Sequence, residues 1–542
     1  MDLSPMTLAK VLLPVTPILL KTAVLNTLSL SLNAGKQDLR TELTVSVIRE
    51  LLKKPNPIGK IQRGGLRDPG IKGKMWISKI TLPKPEDHEG IRPRDALDMA
   101  IKDLGDGSET YRLPETSAVE AEWTGYRGGV DSDAPRPDIS EEEQYRQLMS
   151  EVRSKVTVLY FHGGAYVAMD PASHRLPVSY LAKLTSGRCL SVRYRLAPQH
   201  PFPTAILDGL IAYLSLLSPP SDSYHTAVSP SNIVFAGDSA GGNLCLSLCQ
   251  TLLTLQRKGI RKIRFHGRDV ALSPPAGIAL SSPWCDISRA MPSCHTNATY
   301  DYLMPPPDFG LAADLPSDDI WPTQPPRVDM YVNATALIHP LVSPVAAKPE
   351  LWRGAPPTYM CAGTEALEDE IAVVARHMDE AGVYVQFDTY EGMPHCFGMI
   401  FPKSPMGRES IKSWGKFIVE AGDVGILEKE AGGRRRGKAT MAVAFKDPVV
   451  KREVKWNELK QELSGEDVES LLRAKRERYI KKEEELVRAW KKDEEPSLQG
   501  GEGENVMQAN GEIKNGQKQR HDLCQGQGQG QEDSSLAAKS KL

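Results

Sequence analysis

The sequence predicts an α/β fold in which a mostly parallel central sheet is flanked by helices. Three observations carry that expectation. Between about Val119 and Leu427, short β-branched and apolar runs alternate with helical patterns, as strands joined by covering helices require. Hydrophobic residues make up 40% of the 542 positions, enough for a sizeable core. A serine flanked by glycines, in Gly237-Asp238-Ser239-Ala240-Gly241, stands where one of these strands gives way to a helix.

The strands are expected at Val156–Phe161, Cys189–Tyr194, Ile233–Ala236, Gly277–Ser281, Thr358–Ala362 and Val383–Tyr390. Helical patterns fall between them at Pro203–Leu217, Gly241–Lys258 and Asp369–Ala381. Composition divides the chain into three zones: residues 1–115, an α/β domain over 116–428, and residues 429–542. In the last zone, Val449–Lys492 is rich in Lys, Glu, Leu and Arg and is expected to form an exposed charged helix. After Pro496 the chain becomes Gly-, Gln-, Asn- and Glu-rich, a composition that points to a disordered tail.

The first zone opens on an apolar stretch, Met6–Leu32, in which Lys10 and Lys21 bracket a run broken by Pro14 and Pro17. A bilayer span needs about 20 apolar residues, so a transmembrane helix is not expected, and Leu30–Ala34 makes a poor signal-cleavage site. The stretch is expected to pack over an apolar cleft, with shallow membrane-surface contact as the alternative. Net charge is −2, which argues against a nucleic-acid partner held by global electrostatics. Eight cysteines occur without a CxxC pair or metal-ligand spacing, so neither a disulfide framework nor a metal site is expected, and an intracellular compartment fits.

The chemistry centres on Ser239. A serine hydroxyl becomes a nucleophile when a sharp strand-to-helix turn presents it beside a base, and the apolar run Ile233-Val234-Phe235-Ala236 precedes this one. Upstream, His162-Gly163-Gly164-Ala165-Tyr166 follows the strand Thr157–Phe161. Glycines at a strand end let backbone N–H groups point into a cavity, so an oxyanion hole is assigned to Gly163, Gly164 and Ala240. His162 is expected to brace this loop. The base is His395, in Tyr390-Glu391-Gly392-Met393-Pro394-His395, which closes the last expected strand and follows the serine in chain order. Two carboxylates compete for the orienting acid: Glu365, just past the strand Thr358–Ala362, and Asp369, one helical turn further on. Glu368 and Glu370 are expected on the solvated face of the following helix.

Taken together, the motifs resemble the hormone-sensitive-lipase-like branch of the α/β-hydrolase superfamily. The residues that carry the resemblance lie between about Val156 and Phe401. They are His162-Gly163-Gly164-Ala165-Tyr166, Tyr194-Arg195-Leu196-Ala197-Pro198, Pro201-Phe202-Pro203, Gly237-Asp238-Ser239-Ala240-Gly241-Gly242-Asn243, Ser282-Pro283-Trp284 and His395. The resemblance implies the α/β-hydrolase fold and an esterase or lipase without a cofactor. Its substrate would be a hydrophobic small-molecule ester. It also decides the acid. Family members open a D-x-L-x-D-E stretch with the catalytic carboxylate, and Glu365-Ala366-Leu367-Glu368-Asp369-Glu370 places Glu365 there. A helical cap is implied as well, built from the N-terminus and an insertion at about 286–349. The same triad would serve an acyltransferase or thioesterase, and a non-catalytic ligand-binding receptor on this fold is a further alternative. Finally, Ser540-Lys541-Leu542 matches the address read by the peroxisomal import receptor. Peroxisomal residence is therefore expected, with the endoplasmic reticulum membrane, the lipid-droplet surface or the cytoplasm as alternatives.

Overall fold

In the computed structural model, residues 13–86, 89–306, 315–422, 437–443, 449–456 and 463–494 are described. The chain divides into two units, Met1–Lys491 and Lys492–Leu542, and the elements below belong to the first apart from the end of the last helix. The strands are β1 (Met75–Leu82), β2 (Val119–Tyr126), β3 (Thr157–Phe161), β4 (Arg188–Arg193), β5 (Ile233–Asp238) and β6 (Lys262–Phe265). They continue as β7 (Arg268–Ala271), β8 (Gly277–Ser281), β9 (Thr358–Gly363), β10 (Val385–Tyr390), β11 (Lys438–Val443) and β12 (Val450–Val454).

All but two of these strands form one sheet in the order β1-β2-β4-β3-β5-β8-β9-β10-β11-β12, while β6 and β7 pair separately. Pairing is parallel from β4 through β11 and antiparallel at the two margins, β1–β2–β4 and β11–β12. Every residue of β3, β5, β8 and β9 is buried. Helices cover both faces of these strands, which is why they read as continuous apolar runs instead of alternating ones. On one face the helices Pro93–Leu104, Thr204–Leu217, Ala240–Arg257 and Glu368–Glu380 close a core that includes Ile101, Leu210, Leu248 and Val374. On the other, the helices Pro171–Thr185 and Pro405–Gly422 bring Val178, Leu181, Trp414 and Ile418 against the sheet.

The zone boundaries differ from the expected ones at both ends. β1 lies in the first zone yet pairs along its whole length with β2. At the other end, β11 and β12 continue the sheet beyond residue 428, and β12 occupies the start of the segment expected to be helical. The sequence Val450-Lys451-Arg452-Glu453-Val454 is too charged to signal a strand by itself; the pairing comes from its neighbour. A helix does follow, at Gly465–Glu494, but it is not solvated all round. Val468, Leu472 and Tyr479 are buried on one side, at a helical spacing that turns a stripe inward.

The N-terminal zone contributes the helices Thr16–Thr27, Leu39–Leu52 and Ile58–Gly65. The first leaves Leu20 and Val24 exposed instead of packed over a cleft, and Leu28, Leu30 and Leu32 beyond it are exposed as well. Among the described residues, no helix is long and apolar enough to cross a membrane. Between 286 and 349 the described residues hold only short helices, Ser293–Thr296, Ala334–Ala336 and Pro344–Ala346. The expected tail and its Ser540-Lys541-Leu542 lie outside the described residues.

Candidate active site

The sheet places its chemistry at the C-terminal ends of β3, β5, β9 and β10. Ser239 follows β5 with φ 51° and ψ −120°, a strained backbone for a side-chain-bearing residue that costs about 1–3 kcal/mol. Its surroundings hold it there: Ser239 N–H donates to Ser281 O at 3.1 Å, and Trp284 N–H donates to Ser239 O at 2.9 Å. The flanking glycines answer to space. A Cβ on Gly241 would sit 1.9 Å from Phe161 O, and one on Gly237 would sit 2.6 Å from the Gly241 carbonyl carbon.

His395 and Glu365 meet on the loops that follow β10 and β9. His395 Nδ1 lies 2.8 Å from Glu365 Oε1, with both side chains buried. The second carboxylate oxygen accepts from Ser282 Oγ at 2.6 Å and from Gly363 N–H at 3.0 Å. These bonds fix the carboxylate and make Nδ1 the protonated nitrogen, leaving Nε2 as the acceptor. Nε2 is 3.4 Å from Cys396 Sγ, whose thiol burial and nearby acidic groups push well above its ordinary pKa. Burial opposes the charged imidazolium, but Glu365, Asp301 and Asp238 outweigh it and raise the His395 pKa above 6.5. Among the described residues no hydrogen bond joins Ser239 Oγ to His395 Nε2; such bonds often tighten only around a bound substrate.

Asp369 is elsewhere: its Oδ2 accepts from Ser293 N–H at 2.7 Å. Nor do Glu368 and Glu370 face solvent. Both are buried; Glu368 accepts from Asn297 Nδ2 at 2.7 Å, and Glu370 Oε1 accepts the N–H groups of Cys285 and Asp286 at 2.7 and 3.0 Å. The loop that follows β8 has no sheet partner for these backbone donors, and the acidic helix start supplies acceptors instead. Burial, together with the neighbouring Asp286, drives the Glu370 pKa far upward.

The oxyanion loop requires one correction. Gly163 N–H donates to Asp238 Oδ1 at 3.1 Å, so it does not face the cavity as a free donor. Its glycine is needed for that close approach, since a Cβ would lie 2.3 Å from Asp238 Oδ2. Among the described residues, the N–H groups of Gly164, Ala165 and Ala240 have no acceptor inside the protein. Ala165, and not Gly163, therefore keeps a free backbone donor beside those of Gly164 and Ala240. Asp238 also accepts from Tyr160 OH at 2.7 Å and lies 3.4 Å from His174 Nε2, so the residue before Ser239 ties β3, β5 and the His162–Tyr166 loop together. His162 stacks on Tyr194 with centroids 4.3 Å apart. Burial and the adjacent His174 lower its pKa to about 4, which suits a neutral brace.

Asp301 has no counterpart among the expected residues. It lies in the insertion, fully buried, and its carboxylate accepts His395 N–H at 3.1 Å and Ala366 N–H at 2.8 Å. One side chain thus clamps the His395 loop to the Glu365 loop. Its own carbonyl accepts from Arg49 Nε at 2.8 Å, which joins the clamp to the N-terminal helices. Asn33 and Gln37 reinforce that link by donating to Thr299 O at 3.0 Å and Gly392 O at 2.7 Å. Nothing in the local sequence marks Asp301: beside its near neighbour Leu303 N–H at 3.3 Å, the donors that join the two loops are backbone groups far away in the chain. Among the described residues, no cluster of His, Cys, Asp or Glu is arranged to hold a metal ion.

Comparison with known proteins follows the same residues. A family described as having the alpha/beta hydrolase fold matches residues 158–399. An acetyl-hydrolase of Streptomyces hygroscopicus is 30% identical over 271 residues, covering 50% of this chain and 77% of that protein. The carboxylesterase/phospholipase LipF of Mycobacterium tuberculosis is 28% identical over 265 residues, covering 49% of this chain and 62% of LipF. Among solved structures, an esterase from the bacterial hormone-sensitive lipase family shares 22% identity with a TM-score of 0.46, over 71% of this chain and 99% of its own.

Proposed function

The chain belongs to the α/β-hydrolase family, and on that premise we propose that it cleaves carboxylic esters through an acyl-enzyme formed on Ser239. What supports this reading above all is the buried 2.8 Å contact between His395 Nδ1 and Glu365 Oε1. That contact holds the proton on Nδ1 and leaves Nε2 as the basic nitrogen. Ser239 Oγ attacks the ester carbonyl carbon while its proton passes to His395 Nε2. Glu365 holds the imidazole in the required tautomer and favours the cation that forms. The carbonyl oxygen becomes an oxyanion, held by the N–H groups of Gly164, Ala165 and Ala240 and by the positive end of the Ala240–Arg257 helix. When this intermediate collapses, the carbon–oxygen ester bond breaks and His395 returns its proton to the departing alkoxide. Water then repeats the sequence against the acyl-enzyme, releasing the acid and regenerating the serine. Every step is proton transfer and acyl transfer, so no redox partner enters.

The test is hydrolysis of p-nitrophenyl esters of rising chain length by the full chain, with Ser239→Ala as control. Wild type is expected to exceed the variant by several orders of magnitude on at least one ester, and a phosphonate inhibitor is expected to label Ser239. Equal rates for the two proteins on every ester would overturn the reading.

A further inference from the structure

Beside the oxyanion loop lies a cavity of about 60 Å³ whose lining includes Ala165, Trp284, Arg289, Met330, Tyr331 and Tyr479. Two of these residues already belong to the site. Ala165 offers an N–H to the oxyanion, and Trp284 is bonded through its backbone to Ser239 O at 2.9 Å. Tyr479 comes from somewhere else entirely: the Gly465–Glu494 helix, outside the residues 158–399 that match the family.

We propose that Tyr479 is the specificity-determining wall of this pocket, and that it restricts one side of the ester to a short carbon chain. The proposal rests on the hydrolase reading above. Two observations make the wall a fixed one. The Tyr479 side chain is essentially inaccessible, at 1% exposure. One helical turn further on, the two carboxylate oxygens of Glu483 accept Val328 N–H at 3.0 Å and Ala334 N–H at 3.1 Å, gripping the loop that carries Met330 and Tyr331. The far end of that grip reaches the oxyanion loop. Tyr331 stacks on Tyr166 with centroids 3.9 Å apart, and Tyr166 OH donates to Asn243 Oδ1 at 2.7 Å on the helix behind Ser239.

Size then decides the class of substrate. Small-molecule pockets usually measure about 300–1,000 Å³, and about 10–15 Å³ of such space suffices for one water. The space here takes only a few non-hydrogen atoms, a chain of about four carbons. A longer chain has to displace an aromatic ring whose helix is held at both neighbouring backbone donors.

The experiment measures kcat/KM for two ester series with wild type, Tyr479→Ala and Tyr479→Leu. One series runs p-nitrophenyl acetate, butyrate, hexanoate and octanoate; the other runs acetates of ethanol, butanol and hexanol. Wild type is expected to fall steeply beyond four carbons in one series, which identifies the side that the pocket receives. Tyr479→Ala is expected to raise the hexyl-to-acetyl or hexyl-to-ethyl ratio in that series by about tenfold or more, with Tyr479→Leu intermediate. Ratios unchanged in both series, or a uniform loss at every chain length, would overturn the proposal, with Tyr479→Leu deciding if Tyr479→Ala fails to melt cooperatively. Absence of wild-type activity above Ser239→Ala would instead remove the hydrolase reading on which it rests.

Discussion

At His395 two effects oppose each other. Burial disfavours the imidazolium, while Glu365, Asp301 and Asp238 favour it, and the charges prevail. In the proposed reaction His395 must be neutral to take the Ser239 proton, and a raised pKa keeps it protonated to higher pH. Activity should therefore rise with pH along a limb centred above the ordinary imidazole value of 6.5, measured as kcat/KM on a p-nitrophenyl ester. Asp301→Asn removes one of the charges that raise this pKa, so the limb should move to lower pH. The substitution also turns one acceptor into a donor facing either His395 N–H or Ala366 N–H, which loosens the clamp and should lower kcat. A limb that stays in place while kcat falls would assign Asp301 to geometry alone.

The strand β12 shows how an element can be held by a partner it does not announce. Lys451 on this strand reaches Asp388 Oδ2 at 2.8 Å, and the Asp388 carboxylate is completely buried in β10. Thr440 Oγ1 on β11 and Tyr359 OH on β9 also donate to it, at 2.7 and 3.2 Å, so one carboxylate fastens four adjacent strands. Read alone, Lys451-Arg452-Glu453 has the charge of a solvated helix; pairing with β11 and the distant Asp388 make a strand of it. The charge also suits an outer strand, because lysines at a sheet edge discourage pairing with another chain. Lys451→Met should leave Asp388 short of its cation but still hydrogen-bonded by two hydroxyls. The expected cost is about 2 kcal/mol, read as a lower urea midpoint at unchanged slope. An unchanged midpoint would mean that the ion pair contributes nothing to the edge.

For the molecule as a whole, what could be read from sequence ended where structure ceased to be local. The six expected strands and three expected helices fall within a few residues of observed ones, because each pairs an apolar run with a turn or a glycine-marked terminus. Ser239, Glu365 and His395 sit on such termini, whereas Asp301 sits in an irregular loop and works through backbone donors that no pattern marks. The exchange of Gly163 for Ala165 depends on where Asp238 points, again a tertiary fact. The two ends of the chain are not legible for the same reason: β1 and β12 are completed by neighbours, and the Gly465–Glu494 helix hides a stripe that its charge obscures. That helix is the clearest case of an extension built into the body, since Val468, Leu472 and Tyr479 are buried and Glu483 caps two backbone donors. Burying each large side chain contributes about 1.5–3 kcal/mol, and each hydrogen bond to a charged group about 1.5–3 kcal/mol. A chain ended after Lys455 loses all of these and exposes the apolar wall beneath. Its melting temperature should fall by at least about 5 °C, with dye binding to the uncovered surface below the transition. If the shortened chain melts at the same temperature as the whole, the helix is an appendage and its contacts carry no stability.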